Sequence, residues 1–309
     1  MSRKRPMILV CPVFFLIFFG LSCSNDKPTP TQPTPVQAPT LSIVGNSEIV
    51  GKGKILQLFA SYKTSTGVAQ DQTNAANWSS SNALVASVSK TGLVTSVGYG
   101  QADISAAFSG ISALVSVKIS QPPPITFTVE SQGTNASSGV DDYGRAIFKR
   151  NGKIFAGRDP SVTGALFSGR GFNLVIIDPQ TGEMAGPIAT FDTYISRSTG
   201  ADVSAMTAFV NGLPSGVIIL VGVEDEAGLT SDDFSCLPNP TPGTVCCRPL
   251  GYSWTENLQR LFESLGATQL RRYCYRNSYA FIAIKGQGAK AEQLVNATTA
   301  IAAYTLTLP

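Results

Sequence analysis

Gly169-Arg170-Gly171-Phe172-Asn173-Leu174-Val175-Ile176-Ile177-Asp178-Pro179-Gln180-Thr181-Gly182 is the stretch on which the fold of the C-terminal half turns. Phe172 to Ile177 is a compact apolar run suited to a buried strand, and Asp178-Pro179-Gln180-Thr181-Gly182 closes it with a turn. Working outward, Ile188 to Tyr194 predicts a second strand. Ala201 to Asn211 then sets Val203, Met206 and Val210 on one helical face, with Gly212 and Pro214 ending the helix. Val217 to Val223 predicts another buried strand. Ser253-Trp254-Thr255-Glu256 has the form of a capping box, followed by the apolar stripe Leu258, Leu261, Phe262 and Leu265 and the stop residue Gly266. Tyr279 to Ile284 supplies a further strand. The order β, β, α, β, α, β predicts an α/β domain with helices packed on a mixed sheet.

Upstream, Leu41 to Ser120 consists of short β-rich runs broken by Gly, Asn and Ser, with alternation in Ile55-Leu56-Gln57-Leu58-Phe59-Ala60 and Val85-Ala86-Ser87-Val88. That pattern predicts an all-β sandwich. Trp78-Ser79-Ser80-Ser81-Asn82, Gly92-Leu93-Val94-Thr95 and Gly100-Gln101-Ala102-Asp103-Ile104-Ser105-Ala106 resemble the group 2 bacterial Ig-like domain of invasin- and intimin-like surface proteins. Trp78 suits the core between sheets, and Gly92 and Gly100 suit tight turns. The resemblance implies a stiff spacer. Gln121-Pro122-Pro123-Pro124 marks its boundary, because consecutive prolines cannot continue a sheet ladder.

In the C-terminal half, the opening stretch together with Phe191-Asp192-Thr193-Tyr194, Val221-Gly222-Val223-Glu224-Asp225-Glu226-Ala227, Leu265-Gly266-Ala267-Thr268 and Tyr275-Arg276-Asn277-Ser278-Tyr279-Ala280 resembles the ILEI/PANDER domain. The likeness runs from about Phe127 to Gly288, with Ser131-Gln132-Gly133 and Asn151-Gly152-Lys153 in its opening strands. It implies a compact β/α fold found in secreted cytokine-like factors, in hyaluronan-related surface proteins and in the glycan-binding stem of a glycosyltransferase. Asn277 and Tyr279 stand where the family usually has Asp and Trp. Leu229 to Gly251, with three cysteines, lengthens a loop that is shorter in relatives.

At the N-terminus, Arg3, Lys4 and Arg5 precede an apolar run from Met7 to Leu21, the form of an export signal. Gly20-Leu21-Ser22-Cys23 resembles a lipobox, which implies cleavage before Cys23 and a diacylated, palmitate-bearing cysteine as membrane anchor. Ordinary cleavage nearby is one alternative. An uncleaved signal anchor is another, opposed by Pro12 inside the run. Ser24 to Thr40 is rich in Pro, Thr and Gln and forms an extended tether. The expected plan is a signal peptide (1–22), tether (23–40), Ig-like sandwich (41–122) and ILEI/PANDER-like domain (123–309, core about 127–288).

Removing three signal residues from the 23 basic ones leaves 20 against 20 acidic, so the mature chain is near neutral and nothing in it recruits nucleic acid. Cys236, Cys246, Cys247 and Cys274 form an even set for an oxidising compartment. Adjacent Cys246 and Cys247 rarely bond each other, so one is expected to pair with Cys236 and the other with Cys274, in an order the sequence leaves open. A zinc site is disfavoured because the chain has no histidine and no separated CxxC knuckles. No metal and no cofactor are expected.

The candidate ligand residues are Arg170, Asp192, Tyr194, Asp225, Glu226, Arg276 and Tyr279, which combine planar hydrogen-bonding groups with aromatic faces suited to a sugar. The bland alternative for Arg170, Asp192 and Arg276 is an internal salt-bridge network. The absence of histidine removes the Ser-His-Asp, Cys-His and histidine-bound zinc mechanisms, and no P-loop or GxSxG is present. Asp192 with Glu226 is the pair to nominate for a carboxylate-based glycosidase. The expectation is a non-enzymatic envelope lipoprotein, at the outer membrane or cell surface, that binds carbohydrate, or alternatively an envelope protein as part of a scaffold.

Overall fold

The computed structural model describes residues 37–133, 144–157, 169–196, 198–225, 227, 253–273, 277–295 and 298–309. The expected export signal, Cys23, most of the expected tether and the cysteines Cys236, Cys246, Cys247 and Cys274 lie outside the described residues.

The N-terminal unit runs through β1 (Thr40–Val44), β2 (Glu48–Val50), β3 (Ile55–Gln57), β4 (Phe59–Lys63), β5 (Ala69–Asp71), β6 (Asn77–Ser80), β7 (Ala86–Val88), β8 (Leu93–Ser96), β9 (Gly100–Phe108) and β10 (Ile111–Ser120). They pair as β1-β4-β5, β2-β10-β9-β6 and β3-β8-β7, the layered sheets of an Ig-like sandwich. Period-two alternation sends Leu58 and Ala60 inward and leaves Phe59 exposed. Trp78 is half-buried and packs against both small apolar clusters of the sandwich, its indole N–H donating to the Thr73 carbonyl at 2.8 Å. Gly92, at φ 74, lies beneath that ring. A Cβ there would sit 2.4 Å from the Leu58 carbonyl oxygen, so only glycine fits.

The C-terminal unit runs through β11 (Ile125–Gly133), β12 (Arg145–Arg150), β13 (Lys153–Gly157), β14 (Gly171–Ile177), β15 (Ala189–Phe191), α1 (Ala201–Gly212), β16 (Ile218–Asp225), α2 (Ser253–Ser264), β17 (Ser278–Ile284), β18 (Gly288–Val295) and β19 (Ala300–Leu306). Among the described residues all nine of these strands join one mixed sheet. β14, β16 and β17 pair antiparallel, with β16 in the middle. β11 pairs antiparallel with both β12 and β19, and meets β16 in parallel only at Gln132–Gly133 against Glu224–Asp225. The sheet folds over at that short junction.

Two cores follow from the alternation of side chains. Phe172, Leu174 and Ile176 of β14, with Ile219, Val221, Val223, Tyr279 and Phe281, pack under the helices against Val203, Met206 and Val210 of α1 and Leu258, Leu261, Phe262 and Leu265 of α2. Val175, Ile177, Ile218, Leu220, Ala280 and Ile282 face the other way, onto Ile125, Phe127 and Val129 of β11, Phe148 of β12 and Ala300 and Ala302 of β19. The result is strand layer, strand layer, helix layer. It explains why Phe172 to Ile177 is apolar on both faces, Asn173 excepted, although its sheet is antiparallel there.

The second predicted strand is shorter than Ile188 to Tyr194. It ends at Phe191, because Asp192 turns the chain by accepting from the Ile195 amide through its side chain and from the Ser196 amide through its carbonyl. Both expected helices form. α2 stops in a Schellman arrangement, with Gly266 N–H on Glu263 O and Ala267 N–H on Phe262 O, and Gly266 at φ 90. The Glu256 carboxylate accepts from Arg260 one turn on, and the Ser253 and Trp254 side chains of the expected capping box lie outside the described residues. The end of α1 is held by Lys285, whose ammonium donates to the carbonyls of Val210, Asn211 and Leu213. Beyond Gly288 the sheet continues through β18 and β19, two strands that the sequence pattern did not mark.

Gly222, on β16, faces the second strand layer at close range. A Cβ at this position would meet Ala146 Cβ at 3.1 Å and Val129 Cγ1 at 3.3 Å. Gly222→Val is expected to lower the stability of the C-terminal domain by about 1–3 kcal/mol through overpacking, read as a lower urea midpoint for that domain with the Ig-like transition unmoved.

Candidate functional site

The ends of β11, β15 and β16 and the starts of β12, β14, β17 and β19 share one end of the folded sheet. Ladder partners fix this placement: Gly133 lies opposite Asp225, Gly171 opposite Glu224, Phe172 opposite Phe191, Gln132 opposite Arg145 and Ser131 opposite Ala300. β11 begins directly after the proline boundary, so at about 3.3 Å per residue this rim stands roughly 26 Å from the linker to the Ig-like unit. At the linker end, the Tyr99 hydroxyl donates to the Pro309 carbonyl at 2.6 Å.

On the rim, Arg170 immediately precedes β14 and Asp192 immediately follows β15, strands that are neighbours in the sheet. Arg170 Nε lies 3.1 Å from both Asp192 carboxylate oxygens and Nη2 lies 2.9 Å from Oδ2. The guanidinium carbon stands 4.6 Å from the centroid of the Tyr194 ring, a cation–π contact. Arg170 and Asp192 are 31% and 30% exposed, so the pair is screened by water, and its fixed bidentate geometry matters more than its contribution to stability.

Two buried polar residues hold this group in place. Asn173 is fully buried inside the apolar run; its amide N donates to the Gly169 and Gly171 carbonyls, and its amide O accepts from Gly169 N–H and Thr190 Oγ1. Thr193 Oγ1 donates to the Ala227 carbonyl at 2.6 Å and ties the Asp192 turn to the end of β16. Neither role was anticipated, although a polar residue within a fully apolar strand is the signal for Asn173.

The structure therefore brings Arg170, Asp192 and Tyr194 together, in the internal salt-bridge form. Asp225 lies on the same rim, half-buried and at φ 62. Glu226 and Arg276 lie outside the described residues. Tyr279 is a correction: it is fully buried in the helix-side core, stacked on Phe281 at 6.1 Å and edge-on to Phe262, and presents no face to a ligand. Its hydroxyl donates to Glu292 Oε1 at 2.8 Å. The same carboxylate accepts from the Thr268 and Gln269 amides and the Thr268 hydroxyl, so it anchors the turn after α2 to β18. Among the described residues no three acidic or cysteine side chains converge as a metal site.

A family model for the interleukin-like EMT inducer, ILEI, matches residues 170–235 and 245–287, and one for the bacterial Ig-like domain of group 2 matches residues 39–114. The chain carries a group 2 bacterial Ig-like domain followed by an ILEI domain. Protein FAM3D of Homo sapiens is 26% identical over 117 residues, which is 38% of this chain and 39% of that protein. The alignment thus spans well under half of the relative's length. The break in the ILEI match falls within Leu229 to Gly251, the stretch whose cysteines the sequence singles out.

Burial, then the charge of Glu292 and its hydrogen bond, hold the Tyr279 phenol well above its ordinary value of 10.0. A raised folded value means the stabilisation is complete below that ordinary value and is lost as pH rises beyond it, because the unfolded chain ionises there first. The ILEI domain is expected to weaken above about pH 10. Tyr279→Phe is expected to flatten this alkaline loss while costing about 1 kcal/mol at neutral pH through the missing hydrogen bond, both measurable from urea midpoints across pH.

Proposed function

We propose that the protein is an envelope-anchored, surface-displayed lipoprotein whose ILEI domain binds carbohydrate at the Arg170–Asp192–Tyr194 rim without catalysing a reaction. The observation that supports this is a rigid, part-exposed guanidinium–carboxylate pair laid against an aromatic ring, at the end of the domain far from its linker. Sugar hydroxyls are recognised by planar donors and acceptors held in advance of binding, which limits the ordering cost. The Ig-like domain and the Pro/Thr-rich tether would hold that rim away from the membrane carrying Cys23, at the outer membrane or cell surface. Asp192 is engaged by Arg170 and by the Ile195 amide, which suits a positioning group better than a glycosidase base or nucleophile.

A protein partner is the second reading. It is favoured by Ile195, 70% exposed beside the charged pair, which would give a docking partner an apolar contact.

A glycan array with lipid-free protein is expected to give hits that Asp192→Ala and Arg170→Ala reduce at least tenfold while far-ultraviolet circular dichroism is unchanged. An array without hits, combined with capture of an envelope protein that excess sugar does not compete, would move the assignment to the second reading. Anchoring is tested separately: metabolic labelling with radioactive palmitate is expected to mark the wild-type protein and not Cys23→Ser.

A further inference from the structure

α1 and α2 lie side by side on the same face of the sheet and leave a cleft of about 520 Å³ between them. Neighbouring helices on a sheet usually close such a gap with interlocking side chains or with the stems of long charged ones. Here the floor is apolar, formed by Val203 and Leu261, 2% and 6% exposed, while the walls carry short polar groups. Asn211 and Ser204 stand on the α1 side and Asn257 on the α2 side, and the side-chain amides of both asparagines have no partner among the described residues. Among the described residues lining the cleft, Arg260 is the charged one, and it is matched by Glu256 at 2.7 Å.

We infer that this cleft is a second binding site, for a neutral saccharide, separate from the strand-end rim and independent of what the rim binds. Each asparagine amide offers a donor and an acceptor in one plane, the pairing that adjacent sugar hydroxyls require. The exposed Ala208 methyl and the edges of Val203 and Leu261 give the cleft a small apolar surface for the C–H face of a pyranose ring. With Arg260 matched by Glu256 and the Lys285 ammonium turned onto the carbonyls that end α1, the described lining offers no free cation to a phosphate or carboxylate ligand. The volume lies within the range of small-molecule sites, roughly 300–1,000 Å³.

The test is a series of amide proton–nitrogen correlation spectra of the soluble two-domain protein, titrated separately with chitotriose, maltotriose and anionic 3′-sialyllactose up to about 20 mM, which covers millimolar affinities. A neutral trisaccharide is expected to produce saturable shifts of the α1 and α2 amides. Ala208→Trp, which places a large ring at an exposed position of the wall, is expected to abolish them, and Asn211→Ala and Asn257→Ala to weaken binding at least threefold. The inference is overturned if neither neutral sugar shifts the helices, if the shifts survive Ala208→Trp, or if the anionic sugar binds more tightly. Shifts confined to Arg170 and residues 192–195 would overturn the cleft while supporting the rim, so the two sites fail separately.

Discussion

Burial of β14, β16 and β17 from both sides requires two separate apolar layers, and the chain supplies one from helices and one from strands. Because side chains on a strand alternate, Phe172, Leu174 and Ile176 meet the helices while Val175 and Ile177 meet β11, β12 and β19. No polar residue can be spared along these strands unless it is fully satisfied. Asn173 meets that condition through four hydrogen bonds, and in doing so fixes where Arg170 enters the rim. Where the sheet folds over, Ser131 donates to Val223 O and accepts from Tyr279 N–H, and Ser278 accepts from Gly133 N–H and donates to Thr298 O. These two hydroxyls satisfy backbone groups at a junction too short for a regular ladder.

Elements whose physics is local were legible in the sequence. Phe172 to Ile177 announces itself because two-sided burial leaves no alternation to interpret, and α2 because Leu258, Leu261, Phe262, Leu265 and Gly266 carry both the stripe and the stop. β18 and β19 were not legible: β18 is covered only in part on either face, and the inward residues of β19 include Ala300 and Ala302, which are too small to stand out. Tyr279 was misread for a related reason. An aromatic hydroxyl in a strand suits a ligand face or a core with one polar partner, and that partner, Glu292, lies on the next strand. Lys285 and Glu292 act on helix ends brought near by the tertiary fold, and no sequence spacing signals that.

The rim and the helix cleft differ in kind. Arg170, Asp192 and Tyr194 come from segments flanking two adjacent strands, so the backbone register sets their relation. The cleft depends on how far apart two helices rest on the sheet, which the large side chains beneath them, Met206 and Phe262 among others, determine. A change in the core under the helices would therefore reach the cleft and leave the rim largely as it is.

The pairing of β11 with β19 also governs the order of assembly. Thr126 and Thr305 are joined across these strands at 3.0 Å although 179 positions separate them. A chain made from its N-terminus has every strand of the Ig-like domain in hand by Ser120, and that domain can complete itself at once. The ILEI domain must wait for its last strand, with β11 lacking one neighbour throughout and the apolar residues of β14 and β16 in need of protection. Folding of this chain thus has a late, slow step of high contact order, in which an already folded Ig-like domain precedes an ILEI domain that closes only once Leu306 is available.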